Sequence, residues 1–292
     1  MHAELVLDAR NGTGESPVWS VAEQALYWVD IPAGRLYRWG ARDELAQSWQ
    51  APEMLACIAR SRSGWLAGME SGLFHLQPQA DGSLAPQLLA AVEHAVPSMR
   101  FNDGRCDRQG RFWAGTMHTD MGAGHRVGRL YRYAEDRLEL QLEGFIVPNG
   151  LAFSPDGRTM YLSDSHPSVQ HIWAFDYDTD SGTAHNRRLF VDMNQHPGRP
   201  DGAAVDESGC YWICGNDAGL IHRFTPTGRL DRSLAVPVKK PAMCAFGGPG
   251  LDTLFVTSIR PQGTDLSDQP LAGGVFALRP GVKGLEEPAF GA

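Results

Sequence analysis

The stretch Val147-Pro148-Asn149-Gly150-Leu151-Ala152-Phe153-Ser154-Pro155-Asp156-Gly157-Arg158-Thr159-Met160-Tyr161-Leu162-Ser163-Asp164 decides how the chain is read. A polar residue, Asn149, opens a short apolar strand. Ser-Pro-Asp-Gly then makes a tight turn, with proline presetting φ and glycine supplying a positive φ. A second strand, Met160-Tyr161-Leu162, returns and ends at Asp164. The first residue of one strand and the last of the other therefore share an edge.

On either side of this stretch the same unit recurs, with a different opening residue each time. One copy holds Gly14-Glu15-Ser16-Pro17-Val18-Trp19 and a second strand at 25–30; another opens at 54–59 and returns at 65–68. A third runs Arg100-Phe101-Asn102-Asp103-Gly104, turns at Gly110 and continues through 111–115. Later copies begin at Arg199-Pro200-Asp201-Gly202 and at 242–246. Each is followed by a third strand, and segments such as 188–191 leave room for a fourth. Six copies at intervals of roughly 41–52 residues match the blades of a β-propeller. The expected fold is all-β, a six-bladed β-propeller spanning 1–292 as a single domain. The N-terminal strand near 5–7 is expected to pair into the last blade and close the ring.

Composition agrees. Of 292 residues, 42% are hydrophobic, enough for a large core, while 33 glycines and 19 prolines suit many short strands joined by turns. A net charge of −8 argues against nucleic acid or an anionic membrane as partner. No apolar run approaches a membrane span, and Met1-His2-Ala3-Glu4 has no signal-like character, so a cytoplasmic protein is expected. The five cysteines (57, 106, 210, 214 and 244) are scattered and odd in number, which reads as reduced, packed thiols. Nothing points to an obligate protein partner.

Aligning the copies on their turn glycines puts Glu15, Ala56, Asn102, Asn149, Asp201 and Ala242 at one repeat position. First strands of propeller blades line the central channel, so these six should ring one mouth. Singly, Asn-Gly and Asp-Gly are turn signals in themselves. Four oxygen-bearing side chains converging on one axis, with no histidine or cysteine, instead suit one divalent cation: Ca²⁺, Mg²⁺ or Mn²⁺, or Zn²⁺ through carboxylate oxygen. Trp28, Trp113, Tyr161, Trp212 and Phe255 sit mid-strand and read as packing between blades. His118, His125 and His166 read as solvated loop residues, and Arg126, Arg199 and Arg260 as loop arginines able to lend the mouth positive charge.

The segments around Glu15, Asn102, Asn149 and Asp201, with Phe246-Gly247-Gly248, together resemble the gluconolactonase, senescence marker protein (regucalcin) family over essentially the whole chain. The resemblance implies a six-bladed propeller with one catalytic divalent metal, acting on a small-molecule sugar lactone. Carried over, Glu15, Asn149 and Asp201 would be metal ligands, and Asn102, a substrate-binding candidate, would sit beside the metal and reach it directly or through water. Arg100 would contact substrate. So would Asp120, which follows Gly115-Thr116-Met117 where the family frequently has glutamate. Asp201 is the candidate base that takes a proton from the attacking water. Arabinonolactone, xylonolactone, gluconolactone and a sulfonated gluconolactone are the expected substrates. The alternatives are a calcium-binding regulatory protein of regucalcin type and a phosphotriesterase-like hydrolase.

Overall fold

The structure, a computed structural model, describes residues 2–40 and 46–291. Six four-stranded antiparallel sheets account for the strands, and the described residues contain no α-helix. The fold is the six-bladed β-propeller expected from the repeats. Its innermost strands are Gly14–Ser20, Leu55–Ser61, Met99–Cys106, Pro148–Phe153, Arg199–Val205 and Pro241–Gly247. Each touches the next around the ring, and the sixth touches the first. In the sixth blade the outermost strand is Glu4–Leu7, paired antiparallel with Val275–Leu278.

The central strands are buried on both faces, so their sequences read as apolar runs without polar alternation. Blades meet through aromatic rings. Trp19 stacks on Phe255 at 5.4 Å between the first and sixth blades, and Tyr27 meets Trp65 at 4.4 Å between the first and second. Tyr161 lies 4.9 Å from Tyr211, and Trp212 lies 5.9 Å from Phe246. Between the second and third blades the joint is tighter: a side chain on Gly68 would strike the Phe101 ring and Cys57 Sγ. All five cysteines are free and buried, filling such gaps as small hydrophobes.

Every innermost strand slips its register just inside the channel mouth, between Glu15 and Val18, Leu55 and Cys57, Phe101 and Gly104, Asn149 and Ala152, Pro200 and Ala203, and Pro241 and Cys244. A bulge at this point bends the strand and re-aims a side chain. In the fourth blade the bulge needs glycine. Gly150 has φ 63°, and a Cβ there would lie 2.5 Å from the Tyr211 hydroxyl. At the same step of the first blade Ser16 takes φ 50°, which is costly for a residue with a side chain.

At the far end of the channel the C-terminal segment lies across the ring. Glu287 pairs with Arg105 at 2.7 Å and Glu286 with Arg60 at 2.7 Å. Phe290 stacks on Tyr133 at 5.4 Å.

Turns at that end carry buried anchors. The Asp206 carboxylate accepts from Ser208 N, Cys210 N, Trp212 Nε1 and Arg223 Nε, all within 3.0 Å, and is fully buried. Asp107 repeats this in the third blade with Gln109 N, Arg111 and the Tyr177 hydroxyl. Asp206→Ala removes the buried partner of Arg223, which keeps the half-exposed Asp231, and strands three N–H donors, so urea unfolding should show a loss of about 3 kcal/mol. Arg188→Ala, which breaks the half-exposed pair with Asp176, should lose under about 1 kcal/mol.

Candidate metal and substrate site

Glu15, Asn102, Asn149 and Asp201 emerge at the bulges of the first, third, fourth and fifth blades, and each is at least nine-tenths buried. The second and sixth blades contribute only Ala56 and Ala242 at this position, so the ring is polar over four of its six places.

Three of the four are joined in a directed chain. Arg100 Nη1 donates to Asn102 Oδ1 at 2.8 Å and to Phe101 O at 2.7 Å. With its oxygen so engaged, Asn102 turns its NH₂ to Pro148 O (2.9 Å) and Asn149 Oδ1 (2.8 Å). Asn149 Nδ2 then donates to Asp201 Oδ1 at 2.9 Å and to Ser165 Oγ at 3.1 Å. Asp201 Oδ2 accepts from Asn216 Nδ2 at 2.5 Å. Each amide's orientation follows from a partner that can act in one sense only: a guanidinium donates and a carboxylate accepts.

Every polar end of Asn102 is thus engaged within the protein, and its contact is with Asn149. Arg100 keeps Nε and Nη2 without a hydrogen bond among the described residues, at the edge of the same site.

The electrostatics are strained. Burial raises the Glu15 pKa well above its ordinary range, and the charges of Asp201 and Asp103 raise it further. Burial likewise pushes Asp201 up to about 7, with the Asn216 hydrogen bond and Arg199 offsetting part of that and Asp103 adding to it. The groups that hold these carboxylates are neutral: Ser16 N for Glu15, and two amides for Asp201. Two buried like charges close together are costly without a counter-charge.

Two carboxylates and an amide carbonyl make an all-oxygen donor set, which fits a hard divalent cation. Among the described residues no three His, Cys, Asp or Glu side chains sit together, so any cation here must draw on amide oxygen.

The rim is built by the loops that follow the second strands. Asp120 lies there, exposed, and its Oδ1 caps the short 3-10 turn Met121–Ala123 through Gly122 N at 3.0 Å. That turn rests on Arg199, whose Nη1 lies 3.8 Å from Met121 Sδ. Asp120 stands apart from the buried chain. His118 and His125 meet edge to face at 5.1 Å, and His166 bonds Ser168, so these histidines interact among the loops. Arg260 donates to the carbonyls of Pro270 and Ala272, and Arg126 is exposed.

Sequence reasoning did not pick out Ser165, Asn216 or the supporting role of Arg199, which pairs with Asp217 at 2.6 Å. The signal was available: Ser165 and Asn216 stand at one repeat position, where the second strand of the blade ends.

The profile of the SMP-30/Gluconolactonase/LRE-like region matches residues 13–260. The chain is 43% identical to 6-deoxy-6-sulfogluconolactonase of Pseudomonas putida, over 95% of this chain and 94% of the relative. It is 34% identical to regucalcin of Sus scrofa, over 97% and 96% of the two chains. Among solved structures, a calcium-binding protein, regucalcin, from Agrobacterium tumefaciens superposes with a TM-score of 0.91 at 28% identity, covering 100% of this chain and 98% of that one.

Proposed function

Because the chain belongs to the SMP-30/gluconolactonase/LRE-like family, we propose that it hydrolyses a sugar lactone to the aldonic acid, with one divalent metal ion held by Glu15, Asn149 and Asp201. The observation that carries this reading is the pair of buried carboxylates with neutral hydrogen-bond partners, set in the same ring as Asn149, whose amide direction is fixed. A sulfonated gluconolactone is the first substrate to try, in view of the 43% identity to an enzyme named for one. Arabinonolactone, xylonolactone and gluconolactone follow.

A divalent cation, Ca²⁺, Zn²⁺, Mg²⁺ or Mn²⁺, supplies Lewis-acid stabilisation of the charge that develops on the lactone carbonyl oxygen. The protein's own residues do the rest. Asp201 takes the proton of the attacking water, its carboxylate serving both as ligand and as base. Arg100 turns its remaining N–H groups to the ring hydroxyls, and Asn102 holds Asn149. Asp120 reaches substrate from the rim, which requires its side chain to give up the turn it caps or to use Oδ2.

Chelator-stripped protein should be inactive toward the lactone panel, and one of the four cations restored singly should return turnover. Asp201→Asn keeps an oxygen ligand and removes the base, so kcat should fall at least about a hundredfold while metal still binds. Full turnover in that variant would remove Asp201 from the base role. Arg100→Met should lower kcat/KM at least about tenfold, chiefly through KM. The similarity to regucalcins favours one second reading, calcium binding without hydrolysis. Tight metal binding with no turnover on any lactone would establish it in place of the first.

A further inference from the structure

Resting on the reading of Asn149 and Asp201 as metal ligands, we propose that Ser165 and Asn216 are positioning residues that decide which atoms of those two side chains face the channel axis. Both are 2% exposed, and neither belongs to an innermost strand.

The argument for Ser165 turns on one proton. Its hydroxyl donates to Pro200 O, a carbonyl that can only accept. Having given its only proton away, Ser165 Oγ can meet Asn149 only as an acceptor. The Asn149 atom 3.1 Å from it is therefore the amide nitrogen, and Oδ1 is turned away from the serine. Asn102 Nδ2 meets that oxygen from the other side and favours the same orientation. Asp201 Oδ1 accepts from the same nitrogen at 2.9 Å, so the serine is one of three constraints on the amide, and the one that stays in place when Asp201 turns to a cation.

Asn216 works by the same logic in the next blade. Arg199 Nη2 donates to Asn216 Oδ1 at 3.4 Å, so the NH₂ end points to Asp201 Oδ2. One carboxylate oxygen is thereby tied to an amide, and the plane of the carboxylate is held. Arg199 also donates to Ser165 O at 3.2 Å and pairs with Asp217, so one guanidinium braces both positioning residues.

The repeat supports a dedicated role. Ser165 N bonds Val147 O, and Asn216 pairs with Arg199, so each stands opposite the residue two places before the ring position of its blade. The corresponding residues of the first, third and sixth blades are Ile31, Met117 and Ile259, all apolar. In the second blade it is Glu70, which bonds Met54 N. A polar side chain aimed at the channel position occurs in the two adjacent blades that present Asn149 and Asp201.

The test uses full-length, chelator-stripped protein and calorimetric titration with the divalent cation that the wild type binds most tightly. Ser165→Ala should weaken metal affinity by about 10–100-fold, the range for outer partners of metal ligands. The thermal midpoint of the metal-free protein should stay within a few degrees. In Asn149→Asp the ligand has no donor end for the serine to select, so adding Ser165→Ala there should cause no further loss. Asn216→Ala acts through Asp201 and should show its own 10–100-fold loss, so it decides the matter if Asn149→Asp does not fold. Unchanged affinity in both single alanine variants would overturn the proposal while leaving the metal reading standing. So would the same fractional loss from Ser165→Ala whether or not Asn149→Asp is also present. A wild type that binds none of the four cations overturns the metal reading and this inference with it.

Discussion

Antiparallel pairing of Glu4–Leu7 with Val275–Leu278 puts the first and last strands of the described chain into one sheet, and the central channel depends on that closure. Six twisted sheets around an axis hold a defined diameter only when the last is fixed to the first. Here the joint also brings Trp19 against Phe255 and the innermost strands of the first and sixth blades into contact. Glu15 comes from the first blade and Asp201 from the fifth. Their approach across the axis is a property of the closed ring and of no single blade.

Closure creates an electrostatic problem as well as a site. The carboxylates at the channel are at least nine-tenths buried, so each loses hydration and feels the others. Deeper in the channel the charges are compensated, with Arg105 offsetting Asp103 and pairing with Glu287, but Asp103 adds its own repulsion to Glu15 and Asp201. At the mouth stand two negative groups with neutral partners. A cation placed there would supply the missing counter-charge, which is the electrostatic argument behind the proposed metal site.

Much of this could be read from the chain itself, because a repeat makes position comparable. Glu15, Asn102, Asn149 and Asp201 stand out once six copies are aligned, since the other two copies carry alanine there. The mid-strand aromatics follow from the same comparison. Hydrogen-bond direction does not. That Asn102 spends its oxygen on Arg100, and so supports Asn149, depends on where a guanidinium reaches from two residues away. Asp120 illustrates another limit. An acid three residues past Gly115-Thr116-Met117 can face a substrate or cap a turn, and here its Oδ1 accepts from the backbone N–H of Gly122. The tail crossing the far mouth depends on long-range pairs, Arg60–Glu286 and Arg105–Glu287, which no local pattern announces.

Direction matters more here than hydrogen-bond count. An asparagine ligand presents oxygen or NH₂ depending on a half-turn of its amide, and only one face can bind a cation. Carboxylates have no such ambiguity, which explains why the most elaborate bracing surrounds Asn149: Asn102 on one side, Ser165 on the other, each oriented in turn by a group with a single sense. Among the described residues Glu15 is held by Ser16 N alone, in a bulge at positive φ, because a carboxylate needs aim but not polarity. Aim and polarity are set before any ligand arrives. The reorganisation that would otherwise accompany binding is supplied by the fold.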